Sequence, residues 1–395
     1  MQRTIRLPLL PTAEQYGVLL ETIQQYTECF NAVAAYGWHH GEKNGVELHK
    51  ATYYPLRKAY PQLPAQLVIS ARTKAAEAIK SAFTWKAKKE RGFPKKVAQA
   101  LVRGRPTPMF KPVQCPHSRI SSIRYDQHSY AFRGDYVSLA SITGRQIVEL
   151  HLYPYATRLL KNSIEYDSAD LIFRKGRFWL HLVVTLPEAD FIPNGEVVGV
   201  DFGITRPAVG SNNQFFGKRS WKNIERRYFR LKRALQSKGS DSAKRHLKKL
   251  SHKVSQFRLD CDHVVSRQLV QSVAPGTTIV IENLMEIRTT TAQNGKGQRR
   301  AMHQWSFNRL RDLLAYKAED WGCLVVEIDP RHTSQCCSCC GFVHRSNRRS
   351  QSRFKCRNCN FELNADLNGS RNIAWKYLAS VGRTEAGGLL SISLS

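Results

Sequence analysis

Hydrophobic and polar residues alternate from Arg3 to Leu10, the pattern of a half-buried strand. Pro11-Thr12-Ala13-Glu14-Gln15 has the form of a helix start, with Thr12 as N-cap and Gln15 closing a capping box. Tyr16, Leu19, Leu20, Ile23, Phe30 and Val33 then recur at helical spacing, and the pattern continues with breaks through Val46–His49 and Val68–Trp85. These positions predict a small helical bundle. From Lys86 to Lys111 periodicity gives way to Lys and Arg alternating with Gly and Pro, which predicts a basic linker or a loop tracking a phosphate backbone.

Between Ser118 and Leu186 short β-prone runs are separated by turn residues, among them Tyr136–Leu139, Ile147–Leu150 and Phe178–Val184. Strands at this spacing suggest a small barrel, joined by Arg3–Leu10, with the helical bundle as an insertion. From Glu196 onward the pattern is α/β. Val197–Asp201 and Thr278–Glu282 read as buried strands that each end in an acid, and Gln214–Lys218 as a returning strand. Lys222–Val273 reads as a helical hairpin broken at Gly239–Ser242, with Leu247, Leu250, Val254, Phe257 and Cys261 in one apolar stripe. Arg288–Arg300 reads as a mobile polar loop, Trp305–Trp321 as a helix, Cys323–Ile328 as a strand and Asp366–Ala379 as a last helix. The predicted architecture is multidomain α+β. It has a β-barrel at 1–10 and 115–190, helices at 11–114, an α/β domain at 196–330 and 361–380, a cysteine insert at 331–360 and a tail at 381–395.

Charge narrows the class of partner. Among 395 residues, 61 are Lys or Arg and 31 are Asp or Glu, a formal net charge of +30. Such a surplus repels itself unless a polyanion is near, and nucleic acid is the leading one. No secretory signal or bilayer-length apolar run is seen, so the expected compartment is a prokaryotic cytoplasm without membrane attachment. In that reducing setting the clustering of six of the 10 cysteines between Cys336 and Cys359 favours metal over disulfides.

Two Cys-x-x-Cys knuckles a short loop apart form a four-thiolate zinc pattern. The second is Cys356/Cys359, but the run Cys336-Cys337-Ser338-Cys339-Cys340 offers two registers for the first, Cys336/Cys339 or Cys337/Cys340. Arg331, Lys355 and Arg357 lie near this block and are candidate phosphate contacts. Three acids stand at predicted element ends: Asp201, Glu282 and Asp366. Open α/β sheets expose functional groups at strand ends. Each acid alone is a weak signal. Clustered carboxylates need a cation to stay ionised together, and two Mg²⁺ ions about 4 Å apart suit phosphodiester hydrolysis. In a polyanion-binding chain that chemistry points to a nuclease.

The motifs in order resemble the TnpB (OrfB) family of insertion-sequence proteins, RNA-guided nucleases related to type V CRISPR effectors. Leu10–Gln15 is similar to the family's opening motif, Gly199–Gly203 and Ile281–Leu284 to its first two RuvC motifs, and Asp366–Asn368 through Asn372-Ile373 to its third. Thr333-Ser334-Gln335 with Cys337, Cys340 and Gly341 resembles its zinc knuckle. The resemblance implies a wedge barrel, a helical recognition domain and an RNase H-like RuvC domain with a four-cysteine zinc ribbon inserted. It implies Asp201, Glu282 and Asp366 as catalytic ligands of two Mg²⁺ ions, and Cys337, Cys340, Cys356 and Cys359 as ligands of structural Zn²⁺. A monomer on an omega-type guide RNA would open duplex DNA beside a short motif and cut both strands. Gly369 and Asn364 depart from the family's usual alanine and acid. The alternatives are a non-cleaving RNA-guided repressor, which all three acids argue against, and a miniature type V CRISPR effector.

Overall fold

The computed structural model describes residues 2–188, 190–204, 206–218, 220–284, 307–350 and 352–382. The predicted loop at Arg288–Arg300, the first residues of the Trp305–Trp321 helix and the tail from Arg383 lie outside them. Among the described residues no helix is long and apolar enough to cross a membrane. The chain divides into two compact units, Met1–Pro187 and Glu188–Ser395, a coarser division than the five segments expected.

The first unit is built on a seven-stranded sheet in the order β2-β6-β7-β1-β5-β4-β3. Strand β1 (Gln2–Leu10) lies at its centre, with Ile5, Leu7 and Leu9 turned inward. It pairs antiparallel with β7 (Arg177–Thr185) and with β5 (Gly144–Leu150), in registers such as Leu7 opposite Leu180 and Leu9 opposite Leu150. The outer strands are β2 (Ile123–Tyr125), β3 (Tyr130–Arg133), β4 (Tyr136–Ser141) and β6 (Glu165–Arg174). Tyr125 Oη donates to the Ala140 carbonyl at 3.0 Å, and Tyr130 Oη donates to that of Asp167 on β6. These bonds draw the two sheet edges together, so the barrel is nearly closed.

Helices α1 (Ala13–His40), α2 (Gly45–Ala59) and α3 (Ala65–Val102) fall between β1 and β2 in sequence. The Thr12–Gln15 capping box forms as predicted, with Gln15 N donating to Thr12 Oγ1 and Thr12 N donating to Gln15 Oε1. The predicted linker from Lys86 is a correction. Residues 86–102 continue α3 straight through Gly92 and Pro94. Lys, Ala, Glu, Gln and Leu around them are strong helix formers, and one missing N–H on an exposed helix leaves a carbonyl that water can serve. The chain then folds back, with Phe110 edge-on to Phe93 and under the Lys89 ammonium. A second correction is α4 (Pro154–Lys161), a helix inside the region read as wholly β. It is only eight residues long and buries just Ala156 and Leu159, too few for its period to be visible.

The second unit carries a five-stranded sheet in the order β10-β9-β8-β11-β12. Strands β8 (Val197–Asp201), β11 (Thr278–Glu282) and β12 (Leu324–Ile328) run parallel. The predicted returning strand at Gln214–Lys218 holds β10 (Phe215–Phe216), which pairs antiparallel with an unpredicted strand, β9 (Ala208–Gly210), itself antiparallel to β8. Helices α5 (Ser220–Lys238) and α6 (Asp241–Gln271) form the predicted hairpin and pack through Leu235, Ala243 and Leu250. Helix α7 (Phe307–Asp320) lies against α6, where Arg309 pairs with Asp262 at 2.6 Å. The hairpin β13 (Arg353–Lys355) and β14 (Glu362–Asn364) leads directly into α8 (Ala365–Val381). The core between sheet and helices holds Val200, Ile279, Ile281, Leu269 and Leu314.

Candidate active site

Parallel pairing sets the first two acids. Register places Val200 beside Ile281, so β8 and β11 end together and present Asp201 and Glu282 at the same sheet edge. Glycine sets the third. A β-carbon on Gly199 would lie 2.2 Å from the Ser370 carbonyl oxygen and 2.5 Å from Ala374 N, so only a bare backbone lets α8 rest on β8. At Gly369 a β-carbon would lie 3.0 Å from Asp201 Oδ2. Gly369, a poor helix former in the first turns of α8, gives the Asp201 carboxylate its room.

Asn364, the other departure, is the N-cap of α8: its side-chain oxygen accepts from Asp366 N at 3.0 Å and Leu367 N at 3.1 Å. Asp366 therefore sits in the first helical turn, where the helix dipole favours an anion. It is only 6% exposed, and Arg348 Nη2 meets its Oδ1 at 3.1 Å. Thr333 donates its hydroxyl to Glu282 Oε1.

Of the three acids, Asp201 feels the charge of the other two. Desolvation first, then the charges of Glu282 and Asp366, push the Asp201 carboxyl well above the usual carboxylate range. Desolvation also raises Glu282 and Asp366, against the Thr333 hydrogen bond for the former and the Arg348 charge for the latter. Hard oxygen donors held where solvation is poor suit a hard divalent cation. Among the described residues the three are not drawn as tightly together as the cysteines below.

Sulfur geometry favours one cysteine register. The sulfurs of Cys337, Cys340, Cys356 and Cys359 all lie within 4.8 Å of one another. Cys337 and Cys359 are 3.7 Å apart, and Cys340 and Cys356 are 3.6 Å apart. Tetrahedral zinc with Zn–S near 2.3 Å needs sulfurs about 3.8 Å apart, so the cluster fits that ion. Each knuckle closes on a left-handed residue just after its second cysteine, Gly341 at φ 74° and Asn360 at φ 59°. Cys336 and Cys339 stay outside the cluster. Lys355, a candidate phosphate contact, pairs with Glu362 at 2.6 Å.

Arg348 and the link from Thr333 to Glu282 went unseen in the sequence. Thr333 stood inside a motif without a role. Arg348 is one arginine among several in a basic loop, and nothing in its spacing marks it.

In the first unit the corrected helix α3 carries a candidate nucleic-acid surface. A cavity of about 1010 Å³ is lined by Lys43, Lys80, Lys88, Arg91 and Lys95, with Phe83 among them. Phe83 stacks flat on Trp38, at 5.1 Å and 7°.

Two family models match the chain. Residues 181–288 match OrfB_IS605, described as probable transposase, and residues 307–373 match the Cas12f1-like TNB domain. CRISPR-associated endodeoxyribonuclease Cas12f1 of Sulfoacidibacillus thermotolerans is 29% identical over 242 residues, 55% of this chain and 55% of that protein. Putative RNA-guided DNA endonuclease InsQ of Escherichia coli K12 is 32% identical over 199 residues, 46% of this chain and 49% of that one. The chain thus spans about half the length of these relatives. Among solved structures, a Cas12f1–sgRNA–target DNA complex matches with a TM-score of 0.54 at 14% identity, covering 92% of this chain and 83% of that one. The mini-RNA-guided endonuclease CRISPR-Cas_phi3 matches at 0.52 and 10% identity, over 95% and 92%. At such identity the likeness is one of fold. The two matched segments contain Asp201, Glu282, the four clustered cysteines and Asp366, and along them the chain is similar to the TnpB (OrfB) proteins and to Cas12f.

Proposed function

We propose that the chain is an RNA-guided DNA endonuclease whose RuvC-like site is formed by Asp201, Glu282 and Asp366. The observation that carries the reading is the convergence of these acids. Two come from adjacent parallel strand ends and one from a helix that a glycine allows onto the first strand. On this reading the second unit is an RNase H-like domain with the cysteine ribbon inserted, and the first unit a wedge barrel with a helical recognition segment.

The three carboxylates would hold Mg²⁺, which supplies activation of a water and stabilisation of the leaving oxygen in phosphodiester hydrolysis. Zn²⁺ in the four-thiolate cluster is structural, since four protein sulfurs leave no open position. Thr333 fixes the orientation of Glu282, and Arg348 balances the charge of Asp366. A guide RNA of the omega type pairs with one DNA strand and supplies the specificity. The net charge of +30 serves both polyanions. Retention of all three acids favours cleavage over the non-cutting repressor. A miniature CRISPR effector would use the same chemistry.

The test is to purify the chain with the RNA it carries and sequence that RNA. The complex then meets Mg²⁺ and a plasmid bearing a matched target behind a randomised flank. Linear product that disappears in Asp201→Ala supports the reading. Target binding without cutting in the unaltered chain overturns it in favour of the repressor.

A further inference from the structure

The first cysteine knuckle is tied to α8 by side chains that have no role so far. Asn368 and Asn372 lie one turn apart on the helix and are 0% and 4% exposed. Both donate their amide nitrogens to the carbonyl oxygen of Cys336, at 2.8 and 2.7 Å. Asn372 also donates to the Thr333 carbonyl at 2.8 Å, and Asn368 Oδ1 accepts from Ser338 N at 3.0 Å. These bonds bracket the zinc-type ligand Cys337 on both sides.

The same joint reaches two of the three acids. Thr333, whose carbonyl Asn372 holds, donates its hydroxyl to Glu282. Asn368 and Asn372 stand on the helix that begins beside Asp366. Across the ribbon Asn347 is 0% exposed and donates to the carbonyls of Gln335 and Phe342, at 3.0 and 3.1 Å. It accepts from Arg357 N at 3.0 Å, and its neighbour Arg348 holds Asp366.

A carbonyl has two lone pairs, and at Cys336 two buried amides take them. Buried amides without partners are costly, so the joint has one satisfied arrangement rather than a range. An insert serving only as a surface attachment would need none of these bonds. A knuckle that moved on losing a metal would pull on Glu282 through Thr333 and on Asp366 through α8.

We propose that Asn368, Asn372 and Thr333 are positioning residues that couple the four-cysteine cluster to the acid site, so that zinc in the first raises divalent-cation affinity at the second. Linkage requires the reverse effect to be equal. The inference rests on reading the three acids as metal ligands.

The experiment titrates Mn²⁺ into the full chain and follows binding by electron paramagnetic resonance, which needs no cleavage. Zinc content and melting temperature are recorded for each sample. Thr333→Val removes the hydroxyl at nearly constant shape, and Thr333→Ser restores it. In zinc-loaded Thr333→Val and Asn372→Ala the Mn²⁺ Kd is expected to rise about tenfold, as for other residues that orient metal ligands, while Thr333→Ser stays near the parent. Removing zinc from the parent chain is expected to weaken Mn²⁺ by a similar factor. Zinc-loaded variants that bind Mn²⁺ like the parent overturn the coupling alone. If Asp201→Ala binds Mn²⁺ as the parent does, the reading of the acids falls, and the coupling with it. Should Asn372→Ala not fold, the Val/Ser pair at Thr333 decides.

Discussion

Gly199 on β8 lies so close under Ser370 on α8 that an added β-carbon would sit 2.2 Å from the Ser370 carbonyl oxygen. Backbone touches backbone there, with no flexible side chain to yield. Gly199→Ala is expected to push α8 away from β8 at a cost of roughly 1–3 kcal/mol, as over-packing does elsewhere. Cleavage should fall further than stability, because the same shift separates Asp366 from Asp201. A melting curve and a plasmid assay on one preparation check this. Unchanged cleavage would show that the close packing does not set the acids.

Arg348 and Asp366 form a partly buried pair at 3.1 Å. Without the guanidinium the carboxylate keeps its burial and loses a partner, which costs about 1–3 kcal/mol. A divalent cation would take over that role. In zinc-loaded protein Arg348→Ala is therefore expected to lower the melting temperature without Mg²⁺ and to lower it much less with Mg²⁺. An equal loss in both conditions would mean that no cation is bound beside Asp366.

The cysteines divide into four that cluster and two beside them. Cys336→Ser and Cys339→Ser are each expected to retain one zinc per chain by elemental analysis. Cys356→Ser should lose it and destabilise the ribbon, since Cys356 is buried with Phe354 in the same small core. Zinc lost from Cys336→Ser and kept in Cys340→Ser would reverse the register.

Lys80, Lys88, Arg91 and Lys95 line one cavity on α3. If each meets a phosphate, replacing all four with Ala reduces the slope of log affinity against log salt by about 0.9 per contact on duplex DNA. A slope within about one contact of the parent would free this cavity for another ligand.

The legible features of this chain were those with local causes. Thr12 and Gln15 form a capping box because the two residues are three apart, and Val197–Asp201 reads as a buried strand because it is a short apolar run. The four-cysteine group was visible up to its register, which the family resemblance chose and the sulfur distances support. Local pattern cuts helix α3 short because Gly92 and Pro94 are strong breakers in isolation. The return of Phe110 onto Phe93 is a contact across seventeen positions that no local window contains. Arg348 and Asp366, or Asn372 and the Cys336 carbonyl, meet only after folding, so their partnership leaves no trace in spacing. Gly199 stood in a recognised motif, but its reason, room for the helix it admits, appears only once that helix is in place.

Helix α8 brings both Asp366 and the backbone that Gly199 receives. During synthesis Asp201 and Glu282 leave the ribosome long before it does. A nascent chain therefore owns the basic lining of α3 well before it owns all three carboxylates. On the proposed reading, a product stopped or proteolysed ahead of Asp366 would keep the basic lining of α3 and two of the three acids but lack the third. If the chain is the guided nuclease proposed, such a product would occupy the guide and leave the target whole, so damaged copies would restrain intact ones.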